Sequence, residues 1–296
     1  MRPPARPAPS AVTLLRLLAW LPLPLLYAVS GAGGWLVFDV FRYRRTVTDE
    51  NLAGAVPTLD PAARRDLRRG YERQLTQVVA EVLKGGAMTR DALVSRVALE
   101  GLDAVEASLA AGRSVLIATG HCANWEWLLL AVSARLSAPL TALYKPIRGA
   151  SLEAYFKALR SRFGAALVPA KDVAGALARP AAGARAFALV ADQVPSSTPH
   201  RVWTRFLGRD TAFYQGVDDL ARAGGFVVYT VFAERVARGR YRARFVEIAS
   251  PPYTALPPRE VVRRYAAALE AEVRAHPSDW LWSHRRWKLK KPLYGR

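Results

Sequence analysis

Hydrophobic and polar positions fall into blocks along this chain, and the first block differs from the rest. From Leu17 to Phe38 no charged residue occurs, roughly the ~20 residues needed to cross a bilayer. Pro22, Pro24 and the Gly31-Ala-Gly-Gly34 run interrupt it, so a bent anchor held in one leaflet fits as well as a span, and a buried core helix also meets the pattern. A cleaved signal peptide fits poorly, because the apolar run outlasts the usual core and leads into Phe41-Arg-Tyr-Arg-Arg45. Arg2, Arg6 and Arg16 precede the block and Arg42, Arg44 and Arg45 follow it, so flanking charge sets no orientation.

Beyond residue 45 the periodicity alternates between helix and strand. Asp60 to Leu83 predicts a helix with Asp60 as N-cap and Pro61 in the first turn. Helices are also expected over Leu102–Ala111, Asn124–Leu136, Ser151–Phe163, Val173–Ala178, Gly216–Ala223 and Arg259–His276. Strands are expected over Ser114–Thr119, Leu140–Tyr144, Ala166–Pro169 and Ala186–Val190. Two more, Phe226–Phe232 and Arg240–Ile248, flank an Arg238-Gly239 turn. This order predicts an α/β fold: a mixed, mainly parallel sheet flanked by helices, preceded by the hydrophobic, membrane-associating helical segment. The chain divides accordingly into an anchor, 1–45, and a domain, 46–296.

Composition narrows the function. At 296 residues and 51% hydrophobic the chain can bury a substantial core. A single cysteine excludes an intramolecular disulfide framework, and no Cys/His cluster has zinc spacing, so neither metal nor cofactor is expected. The formal charge of +19 selects polyanionic partners without choosing among nucleic acid, anionic lipid, phosphorylated sugar and acidic carrier protein.

The richest candidate chemistry lies in Ala118-Thr-Gly-His-Cys-Ala-Asn-Trp-Glu-Trp127, where a strand hands over to a helix. Ligands of α/β sheets bind at such carboxyl edges. Here His121 is a candidate general base and Glu126 its partner. Gly120 allows a tight exit from the strand, and Asn124 is placed to cap the helix. Five positions within one helix are about 140° apart, so the pair can meet only with His121 in the turn and Glu126 one turn into the helix. A carboxylate holding one ring nitrogen would leave the other free as base. Asp192 leaves another strand at the same edge, where it either faces the crevice or caps a turn. Cys122 reads as a small buried side chain, since sequence neighbours point apart in a turn. The tail alternates Trp280, Trp282 and Trp287 with Arg285, Arg286, Lys288, Lys290 and Lys291. Such a segment suits a membrane interface, stacked single-stranded nucleic acid, or packing on the domain.

These segments together resemble the late (secondary) lipid A acyltransferases of the lysophospholipid acyltransferase superfamily. The likeness is carried by Tyr43-Arg-Arg-Thr-Val-Thr-Asp-Glu-Asn-Leu52 closing at Pro57, Gly120-His-Cys-Ala-Asn-Trp-Glu126, Tyr144-Lys-Pro146 and Arg160-Ser-Arg-Phe-Gly164. Asp192-Gln193, Arg205-Phe-Leu-Gly208 and Trp280-Leu-Trp-Ser-His-Arg-Arg-Trp-Lys288 continue it. Ala123, Val194 and Leu207 depart from the residues usual at their places. The resemblance implies acyl transfer from an acyl-carrier-protein thioester, with acyl-coenzyme A as an alternative donor, to a hydroxyl of a lipid A precursor or related glycolipid. It further implies His121 and Glu126 as catalytic residues, Arg160, Arg162, Asp192 and Asn124 as substrate-binding or oxyanion residues, and no nucleic-acid partner. The implied setting is the bacterial inner membrane, with the domain on the cytoplasmic side. The alternatives are an acyltransferase on a different acceptor, another glycolipid, a mannosylated phospholipid or an aminolipid, and, as the competing class, a basic protein binding nucleic acid or anionic membranes without catalysis.

Overall fold

The computed structural model describes residues 9–180, 182–195 and 200–291. Arg2, Arg6 and part of the expected loop after Asp192 lie outside them. The apolar N-terminus folds as two helices, α1 (Pro9–Leu18) and α2 (Leu23–Gly34), and α2 runs on into a π-helical turn over Trp35–Val40. Pro22 accounts for the break between the helices. The glycine run does not break the second helix. Its last member lets α2 approach α4 (Pro61–Gly85), since a Cβ on Gly34 would lie 2.4 Å from the Thr76 hydroxyl. Between them lies α3 (Arg45–Ala55), which the hydrophobic pattern did not reveal. As expected, the Asp60 carboxylate caps α4 by accepting from the Ala62 and Ala63 amides.

Next come the short helix α5 (Arg90–Val94), β1 (Val97–Glu100), α6 (Leu102–Ala110), β2 (Val115–Thr119) and α7 (Trp125–Arg135). They are followed by β3 (Leu140–Tyr144), α8 (Ala150–Arg160), β4 (Ala166–Pro169), α9 (Val173–Ala178) and β5 (Ala186–Val190). A separate antiparallel hairpin, β6 (Arg201–Phe206) with β7 (Arg209–Tyr214), leads to α10 (Gly216–Gly224), β8 (Val227–Ala237), β9 (Arg240–Ala249) and α11 (Glu260–Ala275).

The main sheet has seven strands in the order β1-β9-β8-β2-β5-β3-β4. All neighbours pair in parallel except β8 with β9, so β1 and β9 run against the other five. The sheet is therefore mixed and mainly parallel. β2 is buried along its whole length, as a central strand covered on both faces must be. Leu116 and Ala118 pack with α10, α11 and the hairpin on one face, while Val115 and Ile117 pack with α6 and α7 on the other.

The 18-residue stretch Leu23–Val40 is long and apolar enough to cross a membrane, and 11% of it is buried. Its inner side is fastened to the domain. Leu26 is buried, the Tyr27 hydroxyl donates to Glu81, and the Lys84 ammonium donates to the carbonyls of Ala19 and Leu21. The opposite side, with the end of α1, exposes Leu14, Leu17, Trp20, Leu25, Val29, Trp35, Leu36, Val37, Val40 and Phe41.

The tryptophan-rich tail packs on the domain. Trp280 and Trp282 are buried and meet edge to face, and the Trp287 indole donates to the Thr211 hydroxyl. The Asn51 amide from α3 donates to the carbonyls of Trp282 and His284, and Tyr71 of α4 bonds both the hydroxyl and the amide of Ser283. Of the roles open to these tryptophans, packing is the one observed for Trp280 and Trp282, which offer no face to a membrane or a base.

Candidate active site

His121 sits two residues beyond β2, and Asp192 two residues beyond β5. These strands are parallel neighbours with Thr119 opposite Val190, and the Ala191 amide extends the ladder to the Thr119 carbonyl. Equal extensions from adjacent strand ends bring the two side chains together. The imidazole Nδ1 lies 2.6 Å from Asp192 Oδ1, and the His121 backbone amide donates to Oδ2 at 3.0 Å. Trp280 Nε1 also donates to Oδ2, at 2.9 Å. Asp192 is 3% exposed. Burial alone would raise its pKa, but the charge and hydrogen bonds of His121, aided by the indole, hold it at about 2.

Anchored by an ionised carboxylate, Nδ1 carries the proton and Nε2 the lone pair. Nε2 has the Gln193 amide nitrogen at 3.3 Å, and the ring meets Trp125 edge to face at 4.9 Å. The imidazole thus has one nitrogen locked on a buried carboxylate and the other on a longer contact with a neutral amide, at the carboxyl edge of the sheet.

The chain around His121 is held by the tail. The His121 carbonyl accepts from the Leu281 amide, and the Ala123 amide donates to the Asp279 carbonyl at 2.7 Å. Ala123 adopts φ +43°, whereas Gly120 is absent from the left-handed residues. Gly120 is instead a packing glycine, because a Cβ there would come within 2.9 Å of Leu269. Cys122 is buried, and burial, with the nearby Asp192 charge, raises its thiol pKa well above the usual value. A thiol in that state is a poor nucleophile.

Several roles expected from the sequence are redistributed. Glu126 does lie one turn into α7, but it does not hold the imidazole. Its two oxygens take a bidentate pair from Arg160, Nε to Oε2 at 2.9 Å and NH2 to Oε1 at 2.5 Å. Asp192 occupies the place expected for Glu126, because strand pairing delivers it directly to Nδ1. Arg160 is turned to Glu126 and stacks on Phe156. Arg162 donates to the carbonyls of Gly85 and Met88 at the end of α4, a helix-capping use. Asn124 is wholly buried: its Oδ1 accepts from the Trp127 amide and its Nδ2 donates to Glu81. It caps α7, and with its side chain wholly buried and turned to Glu81 it is not presented to an oxyanion. Gln193, Trp280 and His284 are the site neighbours that the sequence did not single out. The Val194 amide donates to His284 Nε2 at 3.3 Å, and burial pushes that imidazole's pKa down to about 4. Their one sequence signal was the resemblance, whose Asp192-Gln193 and Trp280–Lys288 segments contain all three without giving any of them a role at the histidine. Among the described residues no cluster of His, Cys, Asp and Glu could hold a metal.

The family model of the bacterial lipid A biosynthesis acyltransferases matches residues 10–289, nearly the whole chain. The chain belongs to this family. Membership makes the protein an acyltransferase and accounts for the resemblance carried from α3 to the tail. No curated protein matches the chain.

Proposed function

We propose that this lipid A family acyltransferase moves a fatty acyl group from a carrier-protein thioester to a hydroxyl of a lipid A precursor or related glycolipid, with His121 as general base. The observation that carries the proposal is the His121–Asp192 pair at the carboxyl edge, with Nδ1 tied to the carboxylate and Nε2 held only by the Gln193 amide at 3.3 Å, a contact that an acceptor hydroxyl would replace. The acceptor hydroxyl approaches Nε2 and loses its proton as its oxygen attacks the thioester carbonyl. Asp192 keeps the tautomer and stabilises the imidazolium that forms. The tetrahedral oxyanion then collapses, the C–S bond breaks, and the imidazolium returns its proton to the leaving thiolate. No acyl-enzyme is needed. Gln193, beside Nε2, supplies the nearest neutral side-chain donor for orienting the acceptor or the oxyanion.

The roles proposed for Glu126 and Arg160 follow from their bidentate pair, which braces the first turn of α7 against the end of α8. The anchor is proposed to sit in the cytoplasmic leaflet of the bacterial inner membrane. Tyr27 lies beside Glu81 and Gly34 beside Thr76, so α2 runs antiparallel along α4. Arg69 and Arg73 are exposed on that same helix. A helix fastened this way presents its apolar face to lipid while the domain stays in water. The charge of +19 suits an acidic carrier protein and anionic headgroups.

The test is acyl transfer from acyl-carrier protein to a purified lipid A precursor in vesicles, read by mass spectrometry. His121→Ala is expected to lower kcat by on the order of 10³-fold or more with vesicle binding intact. Full activity of that variant would sink the mechanism, and acylation of a different glycolipid alone would correct the acceptor.

A further inference from the structure

Glu81 takes no part in the reaction above, yet among the described residues it is the one acid with no solvent exposure. Its carboxylate gathers donors from separate parts of the fold. The Tyr27 hydroxyl of the anchor helix donates to Oε1 at 2.7 Å, and Asn124 Nδ2 donates to Oε2 at 2.9 Å. The Tyr241 hydroxyl of β9 also donates to Oε2, and the Arg235 guanidinium stands 3.7 Å from Oε1. The Glu81 carbonyl accepts from Trp127 Nε1 at 2.7 Å, so α4 grips the first turn of α7 twice.

Asn124 links this network to the chemistry. It lies three residues after His121, in a turn with no regular ladder of its own, and its Oδ1 caps α7 through the Trp127 amide. The cap forms only when the amide nitrogen points away from that backbone N–H. A carboxylate facing the nitrogen fixes this orientation, because the flipped amide would set Oδ1 against a negative charge. We infer that Glu81 is a positioning residue for His121: it fixes the Asn124 cap and joins the turn that carries His121 to the membrane-anchor helix through Tyr27. Docking of α2 on α4 therefore completes the donor set of the carboxylate that orders the catalytic turn. The inference rests on the reaction proposed above for its kinetic consequence, and on the geometry alone for its structural one.

The experiment uses the full-length protein in vesicles with an acyl-carrier-protein donor and a lipid A precursor, alongside hydrogen–deuterium exchange of the 119–128 segment. Asn124→Asp keeps the cap acceptor but sets an acid against Glu81. It is expected to lower kcat by about tenfold or more, on the scale of a small misplacement of reacting groups, with KM within about twofold and faster exchange in 119–128. Glu81→Gln is expected to do the same. Combining the two restores one acid facing one amide, and kcat and exchange should recover towards wild type. Tyr27→Phe, which leaves the core filled, should lower kcat by about threefold and raise exchange in the same segment.

Wild-type kcat and exchange in Asn124→Asp, or a double variant no better than its parents, would overturn the inference. If Glu81→Gln does not fold, Tyr27→Phe and Asn124→Asp decide by exchange alone, unchanged protection in both counting against it. A wild-type protein that transfers no acyl group would refute the proposed reaction, whereas the exchange results would still judge the positioning role.

Discussion

Two buried carboxylates stand close to the same turn and do different work. Glu126, 4% exposed, faces a guanidinium, and Asp192, 3% exposed, faces an imidazole. An arginine stays protonated throughout, so the bidentate Arg160 fork acts on Glu126 as a fixed brace. An imidazole has a second nitrogen that can accept a proton from a reacting group, so the Asp192–His121 pair is suited to the base role proposed for it. Equal burial and equal acid chemistry thus give an ion pair in one place and an oriented imidazole, the proposed base, in the other, and the partner makes the difference.

The sharpest way to break this comparison is to neutralise each acid in turn. Asp192→Asn is expected to lower kcat by roughly 10³–10⁴-fold, since an amide no longer enforces the Nδ1–H tautomer, while vesicle binding stays normal. A loss under tenfold in the transfer assay would remove Asp192 from its role. Glu126→Gln should act mainly on stability, by about 3 kcal/mol in a urea titration, because it leaves the Arg160 charge half-buried and unpaired. Its kcat, measured on the folded fraction, should fall far less than that of Asp192→Asn. The reverse ranking would restore Glu126 as the functional acid.

Protonation sharpens the contrast further. His284 has its pKa pushed down to about 4 by burial, against about 6.5 unfolded. Between these values the unfolded chain binds a proton that the folded chain refuses, so stability falls as pH drops from about 6.5 to about 4. His284→Asn should flatten that slope in urea titrations taken across the window, and an unchanged slope would count against a neutral His284. Asp192 runs on a lower range. Its stabilisation is complete above its unfolded value near 4 and is lost only as pH falls towards about 2. The smallest effect is expected at the bend itself. Ala123→Gly relieves a non-glycine residue at φ +43° and should add on the order of 1 kcal/mol to stability. A loss of stability there would show that the Ala123 methyl matters more than its backbone strain.

Much of the fold was legible in the residues. Alternating helical and strand periods gave the strands β2, β3, β4 and β5 and the helices around them, and the resemblance tied the blocks into one domain. Shorter or unusual elements were not legible. β1 is four residues long, α5 five, and the β6–β7 hairpin turns through Leu207 at φ +49°, with no Asn-Gly or Asp-Gly to announce it. The glycine run at 31–34 reads as a breaker in sequence but stays helical, and its last member, Gly34, makes room for Thr76. Arg162 reads as an anion ligand until its guanidinium is seen on the carbonyls that end α4.

The sequence by itself determined that a histidine would stand at a strand–helix junction, that an acid would follow on the helix, and that an apolar helix would precede the domain. Those features are local, set by backbone period and turn chemistry within a few residues. Which acid meets the histidine was decided by tertiary structure, because β2, ending at Thr119, pairs with β5, which begins only at Ala186. Partner choice for a buried charge depends on what the sheet order and the helix contacts bring within 3 Å. Spacing along the chain holds that information for Asn124 and its cap, and not for Glu126, Asp192 or Glu81.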